Sequence, residues 1–198
     1  MSRYNRPSTA RLTAMALLAA LVVVLQTVAS GIKIGPVPIT LTLVPIVIGA
    51  ILEGPKAGAL LGGVFGLVTL IAGIIGADPF TFMLWTVSPV WTIVVCLAKA
   101  VGCGLAAGLV YKALESRHTT GCIAAALAAP IVNTGLFALA MLTVFQGTLA
   151  ELAGGTDAVY YLFIVMIGVN FLVEFAVNAV LSAGIARVAL VVSKQMKK

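Results

Sequence analysis

Towards its carboxyl end the chain reads Val169-Asn170-Phe171-Leu172-Val173-Glu174-Phe175-Ala176-Val177-Asn178. Intervals of four put Asn170, Glu174 and Asn178 on one helical stripe that drifts by about 40° per step. An acid at the middle of an apolar helix costs on the order of 2.5–3.5 kcal/mol to insert in a membrane, so Glu174 has to face the protein interior or a wet cavity. Two further polar sets have comparable surroundings: Asn133 with Thr134, three residues beyond Pro130, and Lys99 in the middle of another apolar run. Amides, one acid and one base can hydrogen-bond a small polar solute. Alternatively, Lys99 and Glu174 neutralise each other while the asparagines cross-link helices. Such interhelical bonds average only about 0.6 kcal/mol, a small return for burying five polar groups, so a solute pocket is the favoured reading. Trp85 and Trp91 read as anchors at the membrane interface, with stacking on a flat ligand ring as the alternative role, assigned to Trp85.

The elements that carry these residues are apolar throughout. Of 198 residues 62% are hydrophobic and 9% charged, and the mean hydropathy is +1.18. A soluble domain has about 25% charged residues, so a water-soluble globular fold is excluded, and disorder with it. The expected fold class is all-α: one polytopic membrane domain spanning residues 1–198, with six transmembrane helices and no room for a soluble catalytic domain. Six segments are predicted, at about Thr9–Ala29, Ile39–Leu52, Ala57–Ile75, Phe82–Tyr111, Thr120–Phe145 and Val159–Val192. Pro89 can divide the fourth and Pro130 can kink the fifth. Ser30–Pro38 and Gly76–Pro79 are too rich in Gly and Pro for helix, as is the turn Glu53–Lys56. The first segment is long for a signal-peptide core, and an uncleaved first helix is expected despite the small residues at Ala29-Ser30-Gly31.

With the amino terminus in the cytoplasm, Arg3, Arg6, Arg11, Lys56, Lys112, Arg117, Arg187, Lys194, Lys197 and Lys198 fall inside. Only Lys33 falls outside, beside Asp78, Glu151 and Asp157. That asymmetry obeys the positive-inside rule and places both termini in the cytoplasm of a multi-pass plasma-membrane protein. The net charge of +6 is therefore a topology signal and does not point to nucleic acid.

Small residues mark how the helices pack. Gly58, Gly62 and Gly66 recur every fourth residue, as do Gly104 and Gly108, and close backbone approach within the bundle is the expected use. Ala10, Ala14, Ala16 and Ala20 smooth the first helix in the same way, for internal packing or for docking another protein. The loop holding Lys33, Pro36 and Pro38 could act as a lid.

Enzymatic motifs are missing. No G-x-x-x-x-G-K-[ST] is present to cradle nucleotide phosphates, and no H-E-x-x-H or nucleophile–base pair is available. Cys96, Cys103 and Cys122 lack metal or disulfide spacing, and His118 stands beside Arg117 in a loop. Neither catalysis, a cofactor nor a metal is expected.

Taken together these features resemble the substrate-binding S-component of an energy-coupling factor (ECF) vitamin transporter. The resemblance rests on six short helices with cytoplasmic ends, Gly35-Pro-Val-Pro-Ile-Thr-Leu41 entering the second helix, and Glu53-Gly-Pro-Lys-Ala-Gly58 opening the third. Pro130-Ile-Val-Asn133-Thr134 and the Asn170/Glu174/Asn178 stripe add to it. It implies a chain that captures a vitamin from outside and joins a transmembrane coupling subunit and two cytoplasmic ATPases, which use the ATP. It is thought to topple in the membrane to release its load. Ala16 and Ala20 would dock the coupling subunit. The pattern is nearest the pantothenate-type branch, with pantothenate the first expected ligand. Glu174 would instead suit pyridoxine, riboflavin or a thiamine precursor. A self-sufficient carrier using Glu174 as proton relay and a ligand-free structural subunit are the rival functions.

Overall fold

The computed structural model describes residues 9–29 and 41–196. The proposed lid residues Lys33, Pro36 and Pro38 lie outside them, as do Arg3, Arg6, Lys197 and Lys198. Among the described residues the fold is helical, with no strand. Its helices are α1 (Thr9–Ala29), α2 (Leu43–Glu53), α3 (Pro55–Ile74), α4 (Pro79–Val87), α5 (Pro89–Ala113), α6 (His118–Thr143), α7 (Gln146–Ala153), α8 (Ala158–Tyr160) and α9 (Gly168–Met196). A π-helical stretch, Tyr161–Met166, links α8 to α9.

Proline and glycine set most of these boundaries. Gly54, at φ 90°, separates α2 from α3, and Pro55 starts α3 at a position where the missing N–H costs nothing. Pro89 divides the fourth predicted segment into α4 and α5, as its fixed φ and missing donor require. α6 runs on through Pro130.

Four helices are long and apolar enough to cross a membrane: α1 over Thr9–Val28, α3, α5 and α6. A fifth candidate is the pair Gln146–Ala153 and Ala158–Met166, bent by 91°. The second predicted segment is short, and the last differs from expectation. α2 has 11 residues, about 16 Å of helix, against a hydrocarbon core of about 30 Å. The last segment is interrupted by the π turn, and its described apolar part is Gly168–Leu181. The predicted outer loop after α6 also folds into helix. Leu149 and Phe145 bury against the core, and Gly154 ends α7 in the left-handed conformation.

α3 and α5 form the tightest pair of the bundle, and the glycines explain why. A Cβ on Gly62 would collide with the carbonyl of Ala100, and one on Gly58 with that of Gly104. On Gly66 it would come within 2.8 Å of the Cys96 carbonyl. Gly104 and Gly108 meet Gly58 and Pro55 in the same way. The small-residue rows on these two helices are thus spent on internal packing, as expected. α6 packs on α5, α9 on α6 and α2, and α2 fills the middle. Leu43, Ile46, Val47 and Ala50 of α2 are completely buried. α1, by contrast, is the least buried of the long helices, and both Ala16 and Ala20 are exposed.

Two apolar clusters hold the bundle. One joins α1, α2, α3, α5 and α6 around Phe65, Ala100 and Ala129. The other joins α4 to α7 and the π turn around Phe137, Met141 and Leu162. Polar side chains collect between them.

Candidate solute-binding site

A cavity of about 710 Å³ of atom-free space, counting its open mouth, lies between the two clusters. Four predicted residues from three helices line it: Lys99 from α5, Asn133 from α6, and Asn170 and Glu174 from α9. Thr134 lines it as well. Asn133, Asn170 and Glu174 are each 5% exposed or less, so the cavity wall is polar at a depth where unpaired polar groups are costly. Among the described residues no donor reaches Asn133 Oδ1, an acceptor that a bound molecule can satisfy.

Lys99 is half-buried, with Nζ 5.4 Å from the centroid of the Phe137 ring. The ring's negative face attracts the ammonium. Phe65, Phe80, Phe137 and Phe171 supply the flat apolar surfaces. This mixture of aromatic walls and a few converging polar groups is the usual composition of a small-molecule pocket.

Two predicted residues lie off this wall. Trp85 is half-buried on α4, whereas its neighbour Leu84 faces the cavity, because adjacent helical residues point about 100° apart. Asn178 is one turn beyond Glu174 and 1% exposed; its Nδ2 donates to the Glu174 backbone carbonyl at 2.8 Å. The 40° drift per turn carries the stripe off the cavity by that point.

The π turn sets the phase of that stripe. Ile167 N–H donates to Leu162 O, five residues back, at 2.9 Å. Met166, Ile167, Asn170, Phe171 and Glu174 follow on the cavity wall. Nothing in the sequence marks this turn except Gly168 just after it.

Several cavity residues are absent from the sequence-based site. Asp78, counted there only as an outer-loop charge, is 2% exposed and caps α4. Its Oδ1 accepts from Phe80 N–H at 3.1 Å and its Oδ2 from the Thr81 hydroxyl at 2.6 Å. The signal was legible, since Asp followed by Pro is a helix-start pair. Gln26 of α1 also lines the cavity and its Oε1 accepts from the Thr42 hydroxyl at 2.7 Å. Thr69 lines it too, donating its own hydrogen to Phe65 O at 3.0 Å.

Among the described residues, then, a helical bundle with spans long enough for a membrane carries a polar cavity with an open mouth. The chain belongs to the ECF transporter substrate-specific component family, whose sequence model matches residues 10–186. Among curated proteins it is similar to the pantothenic acid transporter PanT of Lactococcus lactis subsp. cremoris (strain MG1363). The two are 28% identical over 182 residues, which cover 86% of this chain and 89% of that protein. Family and candidate spans together make it a multi-pass transport protein of the plasma membrane.

Proposed function

We propose that this chain is the S-component of an ECF importer and that its cavity takes up a vitamin, pantothenate first. The convergence of Lys99, Asn133, Asn170 and Glu174 on one cavity carries this reading. Lys99 offers a charge-assisted bond to a carboxylate, and the amides match the hydroxyl and amide groups of such a ligand. The similarity to a pantothenic acid transporter supports the choice.

One observation favours a second ligand class. Asp78 and Glu174 line the same cavity as Lys99, so its walls carry more acid than base. That balance suits a neutral or cationic vitamin such as pyridoxine, riboflavin or a thiamine precursor.

In this reading residues 1–198 are one membrane domain that crosses six times with both termini in the cytoplasm. α4 and α5 share one crossing, and the interrupted stretch from α8 through α9 makes the last. The exposed alanines Ala16 and Ala20 dock a transmembrane coupling subunit, and two cytoplasmic ATPases hydrolyse ATP. This chain itself uses no cofactor or metal and catalyses no reaction. Trp85 anchors α4 or stacks above the mouth, and Asn178 fixes the turn of α9 below Glu174.

The test is native mass spectrometry of the detergent-purified chain from cells grown in rich medium. A co-purifying vitamin, lost in Asn170→Ala, is the expected result. A chain that stays bare after soaking with a vitamin panel overturns it, and proton-dependent uptake by the chain alone would favour a secondary carrier.

A further inference from the structure

The donors and acceptors of the cavity are not distributed evenly. At the end nearest the start of α4, the hydroxyl hydrogens are committed inside the protein. Thr81 gives its hydrogen to Asp78 Oδ2, and Thr69 gives its hydrogen to Phe65 O. Each hydroxyl oxygen retains lone pairs. The Asp78 carboxylate has about four lone-pair sites, of which Phe80 N–H and Thr81 occupy two. What this end can offer a ligand is therefore acceptors. Asn133 Oδ1, buried and without a donor among the described residues, is a further acceptor on the cavity wall. Lys99 is an obligate donor.

Ring contacts link the two ends. Lys99 Nζ is 5.4 Å from the centroid of Phe137, and that centroid is 5.7 Å from the ring of Phe80, whose backbone N–H Asp78 caps.

We infer that the Asp78–Thr81–Thr69 end is a subsite for hydroxyl donors, with Asp78 as a specificity-determining residue, and that a bound ligand lies lengthwise with its hydroxyls there and its anionic group at Lys99. The inference rests on the cavity being the solute site, and it adds an orientation and a residue to that reading. A pantothenate molecule meets the requirement, with two hydroxyls at one end of its chain and a carboxylate at the other.

Asp78→Asn tests this sharply because it inverts the polarity of the subsite without changing its shape. The new amide would still accept from Phe80 N–H through its oxygen. Its NH2 would donate to Thr81 Oγ1, freeing the Thr81 hydrogen to point into the cavity. Calorimetric titration of the whole chain in nanodiscs, with pantothenate and with an analogue whose two hydroxyls are replaced by hydrogen, reads the effect. The wild type is expected to prefer pantothenate by roughly tenfold or more, and Asp78→Asn to lose most of that preference, read as the ratio of the two affinities because losing the negative charge strengthens both anions alike. Thr69→Val, which removes one acceptor and leaves Asp78 and its cap on Phe80 N–H as they are, should reduce the preference in the same direction and serves if Asp78→Asn does not fold. Pantothenate binding with undiminished preference in the folded variants overturns the orientation alone. A wild-type chain that takes no pantothenate overturns the ligand assignment, and this orientation falls with it.

Discussion

Lys99 Nζ stands over the face of Phe137, 5.4 Å from the ring centroid, so the ammonium in the cavity is held by an aromatic quadrupole. A ring takes up none of the three N–H donors, which leaves them available to an incoming carboxylate. Lys99→Met keeps most of the stem volume and removes the charge. It is expected to weaken pantothenate roughly 10–100-fold, the worth of a hydrogen bond to a charged group. Titration of the purified variant checks this, with a thermal melt showing that the bundle stays folded.

Glu174 separates the two ligand classes. Glu174→Gln conserves shape and removes a negative charge from a wall that also carries Asp78. An anionic vitamin should then bind on the order of tenfold more tightly, and a cationic one correspondingly more weakly, because a charge–charge term of about 1–2 kcal/mol acts between groups that share such a cavity. Comparing pantothenate with thiamine on wild type and variant reads the sign directly.

The seam between α3 and α5 has no room for a side chain at Gly58 or Gly62. Gly62→Ala places a methyl against the Ala100 carbonyl, and that neighbour is backbone, with no rotamer to yield. Overpacking of this kind costs about 1–3 kcal/mol, and a lowered thermal midpoint in detergent is expected. Gly135→Ala, where a Cβ meets nothing within 4 Å, should leave the midpoint nearly unchanged.

Ala16 and Ala20 are exposed on the least buried long helix. Replacing both with Leu should leave vitamin binding intact in the isolated chain and lower co-purification with the coupling subunit several-fold. Loss of binding together with loss of assembly would mean instead that the alanines matter to the fold.

Which features were legible in the sequence follows from what each depends on. The apolar runs, the breaks at Gly54, Gly76 and Pro89, and the four polar residues that meet in the cavity are local signals, read from composition and helical period. The glycine rows were legible as packing, because every fourth position on a helix shares a face. The depth of each residue was not. Asp78 reads as a loop charge until α4 folds over it, and Gln26 and Thr69 look unremarkable until three helices meet around them. Trp85 and Asn178 show the matter of phase: a residue can be on a helix that lines the cavity and one step away from the wall. The π turn that interrupts the last segment was not legible either, because it depends on how that stretch packs rather than on its composition.

That π turn is slack in the chain. It accommodates one residue more than regular α-helix would, and each residue of regular helix is worth about 100° of rotation. Removing a single residue between Tyr161 and Met166 would let the stretch close into α-helix, with Asn170 and Glu174 kept on the wall. A residue inserted into the regular helix between Gly168 and Asn170 would instead swing both off it together. A scaffold of this kind can lose a residue just upstream of α9 and still present the same side chains to a solute.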